Sequence, residues 1–180
     1  MCIDNLDWDL YFETLDILEN HKIKKTQNRS NVSGVSKLTQ WGNKKGTHLY
    51  DKVGFPMESQ NFGMVMKRFA VEHPFQEGSN NKNYPKVYSH LKKLINIIDP
   101  EFEYNAITLN HNFKCLAHYD KANKSPSIII ALGDFTGGEL IVEGCPIDIH
   151  WNPLIMNGST SKHWTNEFVG DRYTIIYYNI

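Results

Sequence analysis

The chain has 180 residues, a formal net charge of −1, 41% hydrophobic and 12% aromatic residues. That is the length of one domain with a proper core, and the composition excludes a disordered or fibrous protein. The near-neutral charge gives no overall pull toward nucleic acid, no run approaches the roughly eighteen apolar residues of a membrane span, and the acidic, amphipathic N-terminus is not a signal peptide. Cys2, Cys115 and Cys145 are odd in number and widely spaced. This argues against a disulfide framework or a thiolate zinc site, and points to an intracellular compartment, cytoplasmic or nuclear.

Charge is unevenly placed. Residues 1–20 carry Asp4, Asp7, Asp9, Glu13, Asp16 and Glu19 and no Lys or Arg. Residues 21–50 carry Lys22, Lys24, Lys25, Arg29, Lys37, Lys44 and Lys45 and no acidic residue. Such blocks are commonly solvated faces or arms, and the basic segment 22–45, which includes Trp41, is a candidate substrate-contact segment.

In chain order, residues 6–18 predict a helix, with Leu6, Leu10, Phe12, Leu15, Ile17 and Leu18 mostly on one face and Asp4 as N-cap. Residues 26–62 are rich in Asn, Ser, Gly and Lys without a period and read as a long loop holding at most a short strand. A short strand is expected at 64–69. A second helix is expected at 85–98, with Val87, Leu91, Leu94, Ile95 and Ile98 at helical spacing and Asp99-Pro100 ending it. Residues 104–113 then alternate, placing Ala106, Thr108, Asn110 and Asn112 on one face and Ile107, Leu109 and Phe113 on the other. Further strands are expected at 127–132, at 139–142 after a turn at 135–138, at 153–156 and at 172–180. Helices followed by many short strands predict an α+β domain with the helices backing a sheet. The chain shows no internal repeat and no second domain.

His118 and Asp120 stand two positions apart, and on a strand such residues point to the same side, so they can share one ion. A third ligand must come from elsewhere, and His163 follows 45 residues later. Two histidines and a carboxylate leave three open positions, which suits non-haem iron(II), although zinc accepts the same ligands. Arg172 lies nine residues beyond His163, sharing a strand face with Thr174, Ile176 and Tyr178. A buried cation beside a hydroxyl is costly unless an anion binds it, and the planar guanidinium fork fits a carboxylate. Asn110 and Asn112 could reach a ligand from the preceding strand, or could be hydrogen-bonded strand or turn residues. Asn123 is either a partner of Asp120 or a turn former, and Trp164 either walls the pocket or is core. Asp134 reads as structural, and His21, His48, His73, His90, His111 and His150 as residues without comparable partners.

The ordered set His118-x-Asp120, His163 and Arg172 resembles the iron(II)/2-oxoglutarate-dependent dioxygenases, over residues 104–180. The resemblance implies a double-stranded β-helix (jelly-roll or cupin-like) core backed by N-terminal helices. Residues 1–100 would then supply supporting helices and substrate loops, and 104–180 the core. The runs His118-Tyr119-Asp120-Lys121-Ala122-Asn123 and Ser127-Ile128-Ile129-Ile130-Ala131-Leu132-Gly133-Asp134-Phe135-Thr136-Gly137-Gly138-Glu139-Leu140 resemble viral, algal and fungal members of the TET/JBP branch, which oxidise methyl groups on pyrimidines in DNA. By this resemblance His118, Asp120 and His163 would hold Fe(II). Arg172 would bind the distal carboxylate of 2-oxoglutarate with help from Thr174, and Asn110 is a further candidate contact. Dioxygen would be the other co-substrate. Three readings of the substrate follow: a base in DNA or RNA held through segment 22–45; a protein side chain (prolyl-hydroxylase-like) or a small molecule; or no turnover, in a metal-binding cupin-like barrel. The complete ligand set with Arg172 speaks against the last. Substrate choice would lie in loops 26–62 and 70–84.

Overall fold

The computed structural model describes residues 8–23, 58–66 and 74–180. Helix α1 is Trp8–Glu19. The expected cap Asp4 lies outside the described residues. The buried stripe is Leu10, Tyr11, Thr14, Ile17 and Leu18, so the predicted face is rotated: Phe12 is 58% exposed while Tyr11 is fully buried. Thr14 can be buried because its hydroxyl donates to the Leu10 carbonyl at 2.7 Å. The second long helix, α3 (Pro85–Ile98), has the predicted bounds. Proline at its first turn needs no amide partner there, and the Asp99 N–H closes it on the Ile95 carbonyl at 2.8 Å.

The strands are β1 (Glu58–Met66), β2 (Phe75–Glu77), β3 (Ala106–His111), β4 (Ser127–Gly137), β5 (Leu140–Val142), β6 (Cys145–Ile147), β7 (Leu154–Met156), β8 (His163–Thr165) and β9 (Phe168–Tyr178). A single turn of helix, α2 (Asn80–Asn83), precedes α3. One six-stranded sheet has the order β2-β1-β3-β9-β4-β7, and a three-stranded sheet the order β6-β5-β8. The named pairings are all antiparallel. A single bridge, His118 to His163, adds one more extended segment beside β8. From β3 onward the chain therefore crosses repeatedly between two facing sheets.

Strand alternation divides the core. Ile107 and Leu109 of β3, Ile128, Ile130 and Leu132 of β4, and Tyr173, Ile175 and Tyr177 of β9 pack with Tyr11, Leu18, Leu91 and Leu94 of the helices. The intervening residues Ile129 and Ala131 face the small sheet, with Leu140 and Ile149. β4 is buried on both faces, which is why it reads as an unbroken apolar run. On β3 and β9 most of the intervening residues, Thr108, Asn110, Arg172, Thr174 and Tyr178, are polar, and these face a cavity.

Several sequence expectations are revised. The segment read as loop to residue 62 is strand from Glu58, because β1 is held by pairing with β3, Glu58 opposite His111 through Gly63 opposite Ala106. Tertiary pairing overrides a local sequence of Glu, Ser, Gln and Asn. Residues 67–69 of the strand expected at 64–69 lie outside the described residues. Phe135–Gly137 is not a turn but the end of β4, paired with Phe168–Gly170 of β9. β2, β6 and β8 have three residues each, too few to show a period.

Candidate functional site

The small sheet and its flanking segment bring His118, Asp120 and His163 together, with one ligand atom from each lying within 4.8 Å of the others. His118 is not in a regular strand, as expected from its alternation, but in an extended segment fixed by the bridge. The His118 N–H donates to the His163 carbonyl at 3.0 Å and the His163 N–H to the His118 carbonyl at 3.1 Å. Opposed residues of an antiparallel pair point to the same side, and the two rings lie 4.3 Å apart. Asp120 is held by its N–H, which donates to the Gly158 carbonyl at 2.8 Å. A Cβ on Gly158 would lie 3.3 Å from both Asp120 Oδ2 and His163 Cε1, so the absence of a side chain there is what lets the three approach.

The imidazole tautomers follow from their partners. His118 Nδ1 is 2.7 Å from the Leu116 carbonyl and His163 Nδ1 is 2.9 Å from the Ser161 carbonyl. A carbonyl only accepts, so both Nδ1 atoms carry hydrogen and the neutral rings present Nε2 lone pairs. Those Nε2 atoms stand 3.5 and 3.4 Å from Asp120 Oδ1 and Oδ2. Four acceptor atoms converging this closely repel one another unless a cation, proton or metal, lies among them. Burial opposes ionisation of Asp120, yet hydrogen bonds and charge from His118 and His163 hold its carboxyl well below the usual range. His163 is raised in turn, burial being outweighed by Asp120 and the Ser161 carbonyl.

Arg172 is 2% exposed. It donates from Nη1 to Thr174 Oγ1 at 2.6 Å and from Nη2 to the Gly138 carbonyl at 3.0 Å, while Nε has no partner. The guanidinium carbon lies 5.4 Å from the Phe135 and Phe168 rings. Gly138, at φ +74°, makes the room: a Cβ there would meet Arg172 Nε at 2.9 Å. Burial pulls Arg172 down to about 10, against the charges of Cys115 and Glu139. Among the described residues no carboxylate forms an ion pair with it. Asn110, opposite Thr174 in the β3–β9 register, is buried with Oδ1 unpartnered. A buried cation with an unused N–H beside the cavity marks a place for a ligand carrying negative charge, whereas the Asn110 oxygen, an acceptor, calls for a donor.

That cavity measures about 480 Å³ and is lined by the three candidate metal ligands, Arg172, Thr174 and Asn110 among others. Ser59, Asn61, Thr108, Cys115, Gly158 and Tyr178 also line it. Thr108 and Tyr178 share predicted faces with Asn110 and Arg172, so their signal was present. Ser59 and Asn61 fell in the presumed loop and gave none. Asn112 does not face the cavity. At φ +47° it leaves β3, accepts the Arg172 N–H on Oδ1 at 2.8 Å and donates its own N–H to the Arg172 carbonyl. The same break in alternation turns Phe113 onto the cavity wall. Asn123 is a turn residue, its N–H on the Asp120 carbonyl and its amide donating to Ser127 Oγ. Trp164 is absent from the lining and Asp134 is exposed.

Two of the other histidines have carboxylate partners that the sequence did not suggest. His90 meets Glu13 at 2.9 Å, and His111 sits between Glu58 at 2.7 Å and Asp171 at 2.5 Å. Their partners lie 77, 53 and 60 positions away. His21 pairs with Gln60 and His150 with the Gly133 carbonyl; His48 and His73 lie outside the described residues. Among the described residues, only His118, Asp120 and His163 form a group able to hold a metal, and no helix is long and apolar enough to cross a membrane.

No protein-family model matches the sequence, and no curated protein does. Solved structures do. The chain is similar to NgTET1 in complex with 5mC DNA, at a TM-score of 0.51 and 15% identity over 78% of this chain and 62% of that one. Weaker likenesses are to an oxidoreductase of the 2OG-Fe(II) oxygenase family from Burkholderia pseudomallei (TM-score 0.47, 18% identity, 68% and 67% of the two chains) and to OsALKBH1 (0.43, 10%, 68% and 78%). At 15% identity the likeness to NgTET1 establishes a shared fold, and this chain spans under two thirds of the NgTET1 chain.

Proposed function

We propose that this chain is a single Fe(II)- and 2-oxoglutarate-dependent dioxygenase domain on a double-stranded β-helix, acting on a methylpyrimidine base in nucleic acid. The observation that carries the enzyme class is the joint geometry of one cavity. Three metal-capable side chains present lone pairs toward a common point, and a buried guanidinium lacks a counter-ion in the same space. The ligand set fits iron(II): the Nδ1 carbonyl contacts leave both Nε2 atoms free for the metal, and Asp120 is held ionised. His118, Asp120 and His163 would hold the metal. Arg172 would pair with the distal carboxylate of 2-oxoglutarate, flanked by Thr174, while the Asn110 amide would hydrogen-bond the co-substrate. The bound metal would supply dioxygen activation, one oxygen atom ending in succinate as carbon dioxide leaves, the other in the hydroxylated substrate.

The protein's own contribution is placement and dryness. Gly138 and Gly158 leave space for close approach, Phe135 and Phe168 cover the guanidinium, and Asn112 fixes the Arg172 backbone. The nucleic-acid substrate is supported by the shared fold with a protein solved on 5mC DNA, and by exposed lysines beside the ligands. Lys121 follows Asp120, Lys162 precedes His163, and Lys124 lies four residues past Asp120, all exposed. Such cations suit phosphates flanking an everted base. The test is to incubate the iron-loaded chain with 2-oxoglutarate and oligonucleotides carrying 5-methylcytosine or thymine, following succinate and oxygen gain by mass spectrometry. Coupled succinate and oxidised base are expected. Succinate released by peptides or small molecules, with no base oxidised, would overturn the substrate.

A further inference from the structure

The cavity is longer than a metal and a dicarboxylate need, and its two ends differ in chemistry. Arg172, Thr174, Ile176 and Tyr178 of β9 all line it. Six residues of strand separate Arg172 from Tyr178, roughly 20 Å at the usual rise. The segment carrying His118 and Asp120 spans this length. It begins where Asn112 N–H meets the Arg172 carbonyl, and ends where Lys124 N–H meets the Asn179 carbonyl at 3.0 Å. His118 and Asp120 lie in the chain between those anchors, and both line the cavity together with Arg172 and Tyr178. One arm leads to Arg172. The other leads to Tyr178 and contains no charged side chain among its described lining residues.

At the end of that second arm three polar side chains form a chain of hydrogen bonds. Thr108 Oγ1 donates to Asn61 Oδ1 at 2.9 Å, and Thr108 Oγ1 is 3.0 Å from Tyr178 Oη. A hydroxyl has one proton. Since that of Thr108 is given to Asn61, Tyr178 must donate to Thr108. The relay thus runs Tyr178 to Thr108 to Asn61, and it fixes what is left over. Asn61 keeps two N–H donors without a partner among the described residues, and Tyr178 keeps oxygen lone pairs as acceptors. Thr108 is buried and holds both neighbours in place. Met64, Met156 and Ile176 give the same cavity apolar walls, and methionine packs well against the face of a flat ring.

We propose that this arm is the substrate-recognition subsite, and that Asn61 and Tyr178 read the neutral edge of a pyrimidine, donor to acceptor and acceptor to donor, with the ring between apolar walls. This rests on the dioxygenase reading above and adds the residues that select the base. A pyrimidine offers an acceptor adjacent to a donor on its pairing edge, which matches the donor and acceptor that the relay leaves unused. An anionic group is disfavoured, since the arm offers it no cation.

The test compares wild type with Asn61→Asp, which replaces the donors by acceptors at constant shape, and Tyr178→Phe, which removes the acceptor. Val169→Thr, at a 78% exposed position, serves as control. Each full-length, iron-loaded protein is assayed for oxidation of a methylpyrimidine oligonucleotide. Each is also assayed by fluorescence anisotropy for its preference for that strand over one with an abasic site. Asn61→Asp should raise KM about tenfold and remove the binding preference, with kcat changed far less, and Tyr178→Phe should raise KM severalfold. Asn61→Ala, which adds no charge, should show the same KM loss if Asn61→Asp proves unstable. Turnover by wild type with unaltered KM and preference in all three variants would overturn the subsite while leaving the enzyme class standing. Absence of both base oxidation and binding preference in wild type would overturn the subsite and the nucleic-acid reading together.

Discussion

Arg172→Met isolates the co-substrate anchor from the rest of the fold. The variant removes a charge that is 2% exposed and keeps a long, flexible side chain. Two effects on the ligand-free protein oppose each other. Relieving a buried charge stabilises by about 1–4 kcal/mol. Leaving Thr174 Oγ1 and the Gly138 carbonyl without their donor costs about 1–3 kcal/mol for each that no water from the cavity satisfies. The variant should therefore fold, with a melting midpoint within a few degrees of wild type. Ligand response separates the two proteins. At 2-oxoglutarate one hundred times its Kd, wild type gains about 2.7 kcal/mol, or roughly 5–10 °C for a chain this size. Removing one partner of a buried charge pair costs about 2–5 kcal/mol, commonly a hundredfold or more in Kd. At the same concentration the variant then gains about 0.4 kcal/mol, a shift of roughly 1 °C. Calorimetric melts of iron-loaded protein under anaerobic conditions read both shifts. A folded Arg172→Met protein that keeps the full ligand-induced shift would refute the assignment of the anion to this arginine.

Gly138→Ala should fail twice over. The φ of +74° costs a residue with a Cβ about 1–2 kcal/mol, and the new atom would displace the guanidinium. Urea melts should show the first loss and weaker 2-oxoglutarate binding the second; unchanged binding would mean that the arginine has room elsewhere. Tyr177→Phe removes the donor to the Leu91 carbonyl, 2.7 Å away, and should cost about 1–2 kcal/mol in urea denaturation, without changing co-substrate affinity. Alkaline stability has a definite sign. Burial raises Tyr11 and Tyr177 far above 10 and Tyr173 to about 12, so the folded state favours their neutral forms. The stability they contribute is fully present below pH 10 and is lost as the pH rises from there through the folded values. Ultraviolet titration of the nine tyrosines should show these three ionising only with unfolding, and their ionisation in the folded protein at pH 10 would contradict the burial described here.

The helices and long strands were legible because their periods span enough residues to show. α3 repeats an apolar position every third or fourth residue, and the C-terminal part of β9 is a β-prone run over residues 172–178. The face of β3 was legible from its alternation, and spacing by two puts Arg172 and Thr174 on one face of β9. The first half of β1 was not legible, since Ser59 and Asn61 on its cavity side are polar and its place is set by pairing with a strand more than forty residues away, whereas residues 64–66 fall in the strand expected at 64–69. With that first half, Asn61 and Ser59 were lost. β8 has three residues, and His163 is placed by pairing with Val142 of β5 on one side and by the bridge to His118 on the other, long-range pairings that no local pattern encodes. Gly138 reads as a turn residue, and nothing local singles out Gly158. Their use as space beside Arg172 and Asp120 depends on neighbours distant in sequence.

The most direct measurement of the central proposal is an anaerobic titration of metal-free protein with iron(II) and then 2-oxoglutarate, following the weak visible charge-transfer band of the chelate. Wild type should develop the band. His118→Ala should not, and Arg172→Met should require far more 2-oxoglutarate to reach it. A correctly folded wild-type protein that forms no band, or a His118→Ala protein that forms it as readily as wild type, would contradict the assignment of this cavity to iron and 2-oxoglutarate.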